Sequence, residues 1–150
     1  MLERAIISEV THTVDETVYR VEGVAAAGLF STLADAGINV DTILKTRAGL
    51  VFSAPIEDGA PTAAALDRLG AHWSADSGLG QVSVVGAGMK SHPGVAARAF
   101  ATLEENGIEP VMVTTSPIRI SCHVRRETVE HAARALRDAY GLGEEEEVSE

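Results

Sequence analysis

Three observations on this 150-residue chain predict an α+β fold built twice, each copy with helices packed on one face of a largely antiparallel sheet. The first is internal repetition: Ala26, Ala27, Phe30, Thr32, Leu33, Gly37 and Ile38 recur as Ala96, Ala97, Phe100, Thr102, Leu103, Gly107 and Ile108, each pair 70 positions apart. The same offset carries Ala63, Ala65 and Leu66 to Ala133, Ala135 and Leu136. The second is the order of elements, which reads strand, helix, strand, strand, helix in each copy. The third is the period: one repeat near half the chain length means paired modules, since a solenoid needs at least three shorter repeats to bury a continuous core.

Taken in order, Ala5 to Val10 and Thr17 to Val21 read as strands joined by a turn at Thr13 to Glu16, and the alternation Tyr19, Val21 against Val18, Arg20 is that of a half-buried strand. Ala25 to Ala36 sets Leu29, Phe30 and Leu33 at helical spacing, and Gly37 stands where a left-handed cap is wanted. Ile38 to Leu44 and Leu50 to Ala54 are β-rich, linked by a hairpin turn over Lys45 to Gly49. Pro61 opens a helix over Thr62 to Leu69. The second copy follows with strand Gln81 to Val85, a glycine-rich loop, helix Pro93 to Asn106 ended by Gly107, strands Val111 to Thr115 and Ile118 to Val124, and helix Glu127 to Tyr140.

The polar, glycine-containing stretch His72 to Gly80 reads as a linker with a boundary near residue 75. The expected organisation is a leading strand in residues 1–14 that joins one of the two sheets, a first module over 15–75, a second over 76–143, and an acidic tail over 144–150.

Composition narrows the function classes. With 45% hydrophobic residues the chain has enough apolar material for a core in each copy. A net charge of −10, with Lys and Arg dispersed, lacks the basic stripe of a nucleic-acid binder and does not suit an anionic membrane surface. Cys122 is the single cysteine, which fits a reducing cytoplasm, and no run reaches the roughly 20 apolar residues that span a bilayer. The start MLERAIISEV carries Glu3 and no long apolar region, unlike a secretory signal.

Catalysis finds little support. The five histidines never form the close pairs of a zinc site, and neither Cys-x-x-Cys nor Gly-x-Ser-x-Gly occurs. Cys122 and His123 project to opposite faces of a strand, so the imidazole is not placed to activate the thiol. Neither a metal nor a cofactor is expected.

The copies differ most before their first helices. The second has Gly86-Ala-Gly-Met-Lys-Ser-His-Pro-Gly94, whereas the first passes from Val21 to Ala26 through Glu22-Gly-Val-Ala alone. In the longer loop Ser91 or His92 ends the turn, Pro93 suits the first helical turn, and the open amides of Gly94 to Ala96, with Lys90 nearby, suit a carboxylate. The alternative is a loop that merely lets strand and helix approach. It is neither a P-loop nor a dinucleotide fingerprint.

Val84-Val-Gly-Ala-Gly-Met-Lys-Ser-His-Pro-Gly-Val95 and Thr114-Thr-Ser-Pro-Ile-Arg-Ile-Ser121 resemble the second ACT domain of the aspartate kinase regulatory region, in particular the small actinobacterial β subunit, and Leu33-Ala-Asp-Ala-Gly-Ile-Asn-Val-Asp41 extends the resemblance to the first half. The resemblance implies two tandem ferredoxin-like βαββαβ ACT modules, a homodimer formed through them, a separate kinase chain as partner, and lysine or threonine as effector. By the same resemblance Asn39, Val40, Asp41 and Lys45 of the first module, and Met89, Lys90, Ser91, His92, Pro93, Gly94, Val95, Glu109 and Pro110 of the second, are the expected effector contacts. The family's Asp-Lys-Pro-Gly-type loop is replaced by Gly23-Val-Ala-Ala-Ala27, its Gln-Asn after Asp41 is missing, and Glu109-Pro110 replaces its Asn-Ile. Kinase motifs have no counterpart here. A free-standing sensor of another amino acid, or a ligand-free scaffolding subunit, are the alternative readings.

Overall fold

In the computed structural model, which describes residues 7–87 and 93–142, the chain forms six strands and four helices among those residues. The contacts divide it into two units, one over Asp15–Leu79 and one joining the described residues up to Val14 to those from Gly80 onward. In order these are β1 (Ile7–Glu22), α1 (Ala26–Asp35), β2 (Thr42–Lys45), β3 (Leu50–Pro55), α2 (Gly59–Arg68), β4 (His72–Gly86), α3 (Pro93–Glu105), β5 (Met112–Ser116), β6 (Arg119–Arg125) and α4 (Val129–Ala139). Short 3₁₀ turns, Ile56–Asp58 and Arg126–Thr128, lead into α2 and α4.

In the unit Asp15–Leu79 the strand order is β2-β3-β1-β4. β3 pairs antiparallel with both neighbours, setting Tyr19 opposite Phe52 and Thr42 opposite Ser53. Alternation sends Tyr19 and Val21 of β1 and Leu50, Phe52 and Ala54 of β3 into a core with Leu29, Leu33, Ile38, Ala65 and Leu66. Tyr19 stacks on Phe52 with ring centroids 5.0 Å apart, and Phe30 meets Phe52 edge-on at 5.9 Å.

The second unit orders its strands β1-β4-β6-β5, with β5 and β6 antiparallel and Val113 opposite Cys122. Its core draws Ile7 and Val10 from β1, Val82 and Val84 from β4, Leu103 and Ile108 around α3, Ile120, Cys122 and Val124 from β6, and Ala133, Leu136 and Tyr140 from α4. Arg137, also buried, donates from Nη2 to the carbonyl of Val10 at 3.1 Å and ties α4 to β1.

All four described helices end in one way. At α1, Gly37 (φ 76°) donates to Ala34 O at 3.0 Å and Ile38 donates to Leu33 O at 3.0 Å. At α3, Gly107 (φ 70°) donates to Glu104 O at 3.0 Å and Ile108 donates to Leu103 O at 2.9 Å. This paired pattern satisfies the last carbonyls and drops an isoleucine back onto the core, so the repeated Leu-x-x-x-Gly-Ile is a capping device used twice.

Two expectations are corrected. The turn at Thr13 to Glu16 is instead part of one continuous strand β1, bent where Asp15 adopts a φ of 68°. Thr13, Val14 and Thr17 favour extended backbone, and Asp is among the side chains that tolerate a left-handed conformation. The linker His72 to Gly80 is likewise strand, the first part of β4, with Gly78 at a φ of 75°. Polar composition suggested a loop, but sheet pairing overrides local propensity. Smaller shifts follow: β2 starts at Thr42 rather than Ile38, because Ile38 is spent on the α1 cap, and α2 starts at Gly59 with Pro61 as its third residue. The expected helix at Glu127 begins as the 3₁₀ turn, with α4 proper from Val129. The first two residues expected in the leading strand, and the acidic tail, lie outside the described residues.

Candidate functional site

The repeat puts two of the expected effector patches at equivalent places. After each helix cap the chain enters an edge strand through one backbone bond, Asp41 N to Ser53 O at 2.9 Å in one unit and Val111 N to His123 O at 2.7 Å in the other. Asn39 and Glu109 are therefore counterparts, both exposed, and Val40 and Pro110 are counterparts, both half-buried. Pro110 costs no ladder bond, because the donating amide belongs to the next residue. Asp41 is exposed at the head of β2; Lys45, exposed at its far end, lies about 13 Å further along at strand rise and does not join this patch.

The loop before α3 is described only in part. Met89, Lys90, Ser91 and His92 lie outside the described residues, and Pro93 opens α3. Gly94 is half-buried and Val95 is buried, its carbonyl accepting the Tyr140 hydroxyl at 2.6 Å. Gly94 and Val95 stand at the start of the 13-residue α3 and Glu109-Pro110 beyond its end, about 20 Å apart, so one unit does not bring them together. In the other unit α1 follows β1 after Gly23, Val24 and Ala25, with no side-chain cap at Ala25 and no acidic residue in its first turn.

Of two clefts in the described residues, one takes in expected effector residues and the other takes in none. One of about 450 Å³ gathers Glu109 and Pro110 with Phe100, Glu104, Gly107 and Ile108, and Phe100 is 38% exposed there. The other, of about 280 Å³ within the unit Asp15–Leu79, is lined by Arg20, Glu22, His72, Trp73 and Ser74. Sequence reasoning named Glu109 and Pro110 of the first cleft but missed its other lining residues and the whole of the second. Phe100 and Glu104 share a helix face with the residues after the cap, and the helical period could have found them. Arg20 and His72 are united only by the neighbouring of β1 and β4.

A buried polar row crosses the sheet of the other unit on the face that Val82, Val84, Ile120, Cys122 and Val124 turn away from. Ser83 donates to Gln81 Oε1 at 3.2 Å and stands 2.9 Å from Ser121 Oγ; Gln81 Nε2 stands 3.3 Å from His123 Nε2. Cys122 faces the opposite way, into the core, where burial pushes its thiol up to about 11. A neutral buried thiol with its neighbouring imidazole on the other face is a packing element. The open groups at the clefts, by contrast, suit reversible binding. No helix among the described residues is long and apolar enough to cross a membrane.

A family model for the ACT domain matches residues 82–140, within the second copy. Among curated relatives, the aspartokinase of Corynebacterium glutamicum is 35% identical over 97% of this chain, and the chain spans about two fifths (39%) of that relative's length. The ligand-free regulatory subunit of aspartate kinase from Thermus thermophilus superposes with a TM-score of 0.80 at 28% identity, covering 89% of this chain and 97% of that one. A crystal structure of aspartokinase alpha and beta subunits contains a chain matched at a TM-score of 0.80 and 33% identity, with 91% of this chain and 99% of that chain covered. The fold is thus the ferredoxin-like ACT arrangement, and the chain belongs to the aspartate kinase family, within its ACT-domain regulatory portion.

Proposed function

We propose that this chain acts as a non-catalytic regulatory subunit in the cytoplasm: two tandem ACT modules pair into a homodimer, bind an amino-acid effector of the lysine or threonine type at module interfaces, and bias a separate aspartate kinase chain. The observation that carries the reading is the near-complete cover by this chain of a solved aspartate kinase regulatory subunit, 97%, and of a chain from a structure of aspartokinase alpha and beta subunits, 99%. Effector contacts are assigned to Asn39, Val40 and Asp41 of one protomer facing residues 89–95 of a partner module, an assignment that rests on the family resemblance of these segments. Control works by linkage: an effector that prefers one arrangement of the modules shifts the kinase by its differential affinity, typically about 1–3 kcal/mol.

The test is co-expression with an aspartate kinase catalytic chain, followed by pull-down and assay with and without lysine and threonine. Co-purification and a several-fold change in rate are expected. A chain that never retains a kinase overturns the proposal. One observation favours a second reading: only Gly23, Val24 and Ala25 connect β1 to α1, so the family's effector loop has no room there. In that reading the subunit answers another amino acid or serves as a ligand-free scaffold. Calorimetric titration with an amino-acid panel separates the two, silence marking the scaffold.

A further inference from the structure

We propose that Asn106 is a site of self-modification, converting to aspartate or isoaspartate when the cap of α3 opens, and that His131 helps to hold that cap closed. Asn106 precedes Gly107, the pairing most prone to this reaction, because glycine has no Cβ to bar its amide nitrogen from the neighbouring carboxamide. The Gly107 nitrogen bonds to Asn106 Cγ, the Cγ–Nδ2 bond breaks, and Nδ2 leaves with the amide proton as ammonia. Water then opens the resulting succinimide at either carbonyl, so one water is consumed and one ammonia released, with no oxidant or cofactor. Asn106 is exposed, so water has access to it. This chemistry holds whether or not the chain regulates a kinase.

The folded cap opposes each step. The Gly107 amide donates to Glu104 O at 3.0 Å, so the attacking nitrogen is engaged. The leaving Nδ2 donates to Thr102 O at 2.8 Å, and Oδ1 stands 3.0 Å from His131 Nε2 on α4. The Asn106 amide donates to the carbonyls of Thr102 and Leu103 at 3.3 and 3.1 Å, the pattern that Ala36 shows at the equivalent place with φ −85° and ψ 0°. Such a ψ turns the following amide toward the residue's own nitrogen and away from its side chain, the reverse of what ring closure needs. Ala36 also shows that the cap does not require asparagine, since the first copy forms the same turn with a methyl group. Isoaspartate at 106 would lengthen the main chain by a carbon inside the cap, against the 2.9 Å bond from Ile108 N to Leu103 O and the burial of Ile108.

The purified full chain is incubated in neutral buffer, folded and in urea, and its peptides are resolved by chromatography and mass spectrometry into asparagine, aspartate and isoaspartate forms. The chain has two asparagines, and Asn39, also exposed but followed by the β-branched Val40, is the internal control. Asn106 is expected to convert about tenfold or more faster in urea than in the fold, and faster than Asn39 in urea. His131→Ala should speed conversion in the folded chain several-fold, the factor that losing one ordinary hydrogen bond supports, and leave the rate in urea unchanged. His131→Gln, whose amide can still reach Oδ1, should fall between. Asn106→Ala should keep the parent's thermal midpoint, as Ala36 serves the other cap. Equal rates in the fold and in urea, a parent-like folded rate in His131→Ala, or Asn39 outpacing Asn106 in urea overturns the proposal. The comparison of folded and urea-treated parent decides the matter even where a variant does not fold.

Discussion

Single residues in this chain are held by contacts whose removal has a readable consequence. Gly80 is one: a Cβ there would meet Thr13 O at 2.6 Å as well as the Val129 side chain, so β1 and α4 both press against its α-carbon. Gly80→Ala is expected to destabilise by about 1–3 kcal/mol, read as a lower urea midpoint, because backbone is among the atoms that must move. Cys122 gives a pH dependence. Folded, it holds its proton up to about 11 against an ordinary 9.0, so its contribution is complete below about pH 9 and disappears as the pH rises through about 11. At roughly 1.4 kcal/mol per pH unit the loss is on the order of a few kcal/mol. Tyr19 acts in the same direction: burial raises its hydroxyl pKa, hydrogen bonds with Thr62 and Thr17 oppose, and Asp58 adds to the rise. Urea midpoints between pH 8 and pH 11 should fall less steeply for Cys122→Ala than for the parent chain.

Elements repeat, and so should their energetics. Leu33 and Leu103 occupy equivalent buried sites, each also lending its carbonyl to the isoleucine that closes the cap. Leu33→Ala and Leu103→Ala are each expected to cost about 2–5 kcal/mol, measured by denaturant unfolding; a large asymmetry would mean that one cap is not part of its unit's core. Helices α3 and α4 are joined by the Tyr140 hydroxyl at the Val95 carbonyl, 2.6 Å apart and buried. Tyr140→Phe keeps the ring and removes this bond while the Val95 carbonyl keeps its helical partner, with an expected loss of about 0.5–1.5 kcal/mol. Cap chemistry was legible at this scale because it is local: a glycine followed by an isoleucine, four and five residues after a leucine, determines its own geometry.

At the scale of the molecule, one unit is discontinuous in sequence. Ile7 and Val10 belong to the core that the C-terminal residues build, and Val10 O receives the buried Arg137 guanidinium. A fragment starting at Gly80 should therefore lack cooperative thermal unfolding, and joining residues 1–14 to it through a flexible linker should restore the transition. A fragment that unfolds cooperatively without that strand would show the leading strand to be dispensable.

Duplication, the α+β class and the helix caps at Gly37 and Gly107 were legible in the sequence, because each rests on periodicity or on residues a few positions apart. The sequence placed a turn at Thr13–Glu16 and a linker at His72–Gly80, where local polarity is genuine but weaker than ladder hydrogen bonds contributed by distant strands. Only the tertiary structure decided that these segments are strands that each serve both units, and that Arg20 and Glu22 share a cleft with His72 and Ser74. The physical reason is that strand pairing is a long-range interaction: which strands lie side by side, and which side chains therefore meet, is written in no local pattern of either strand.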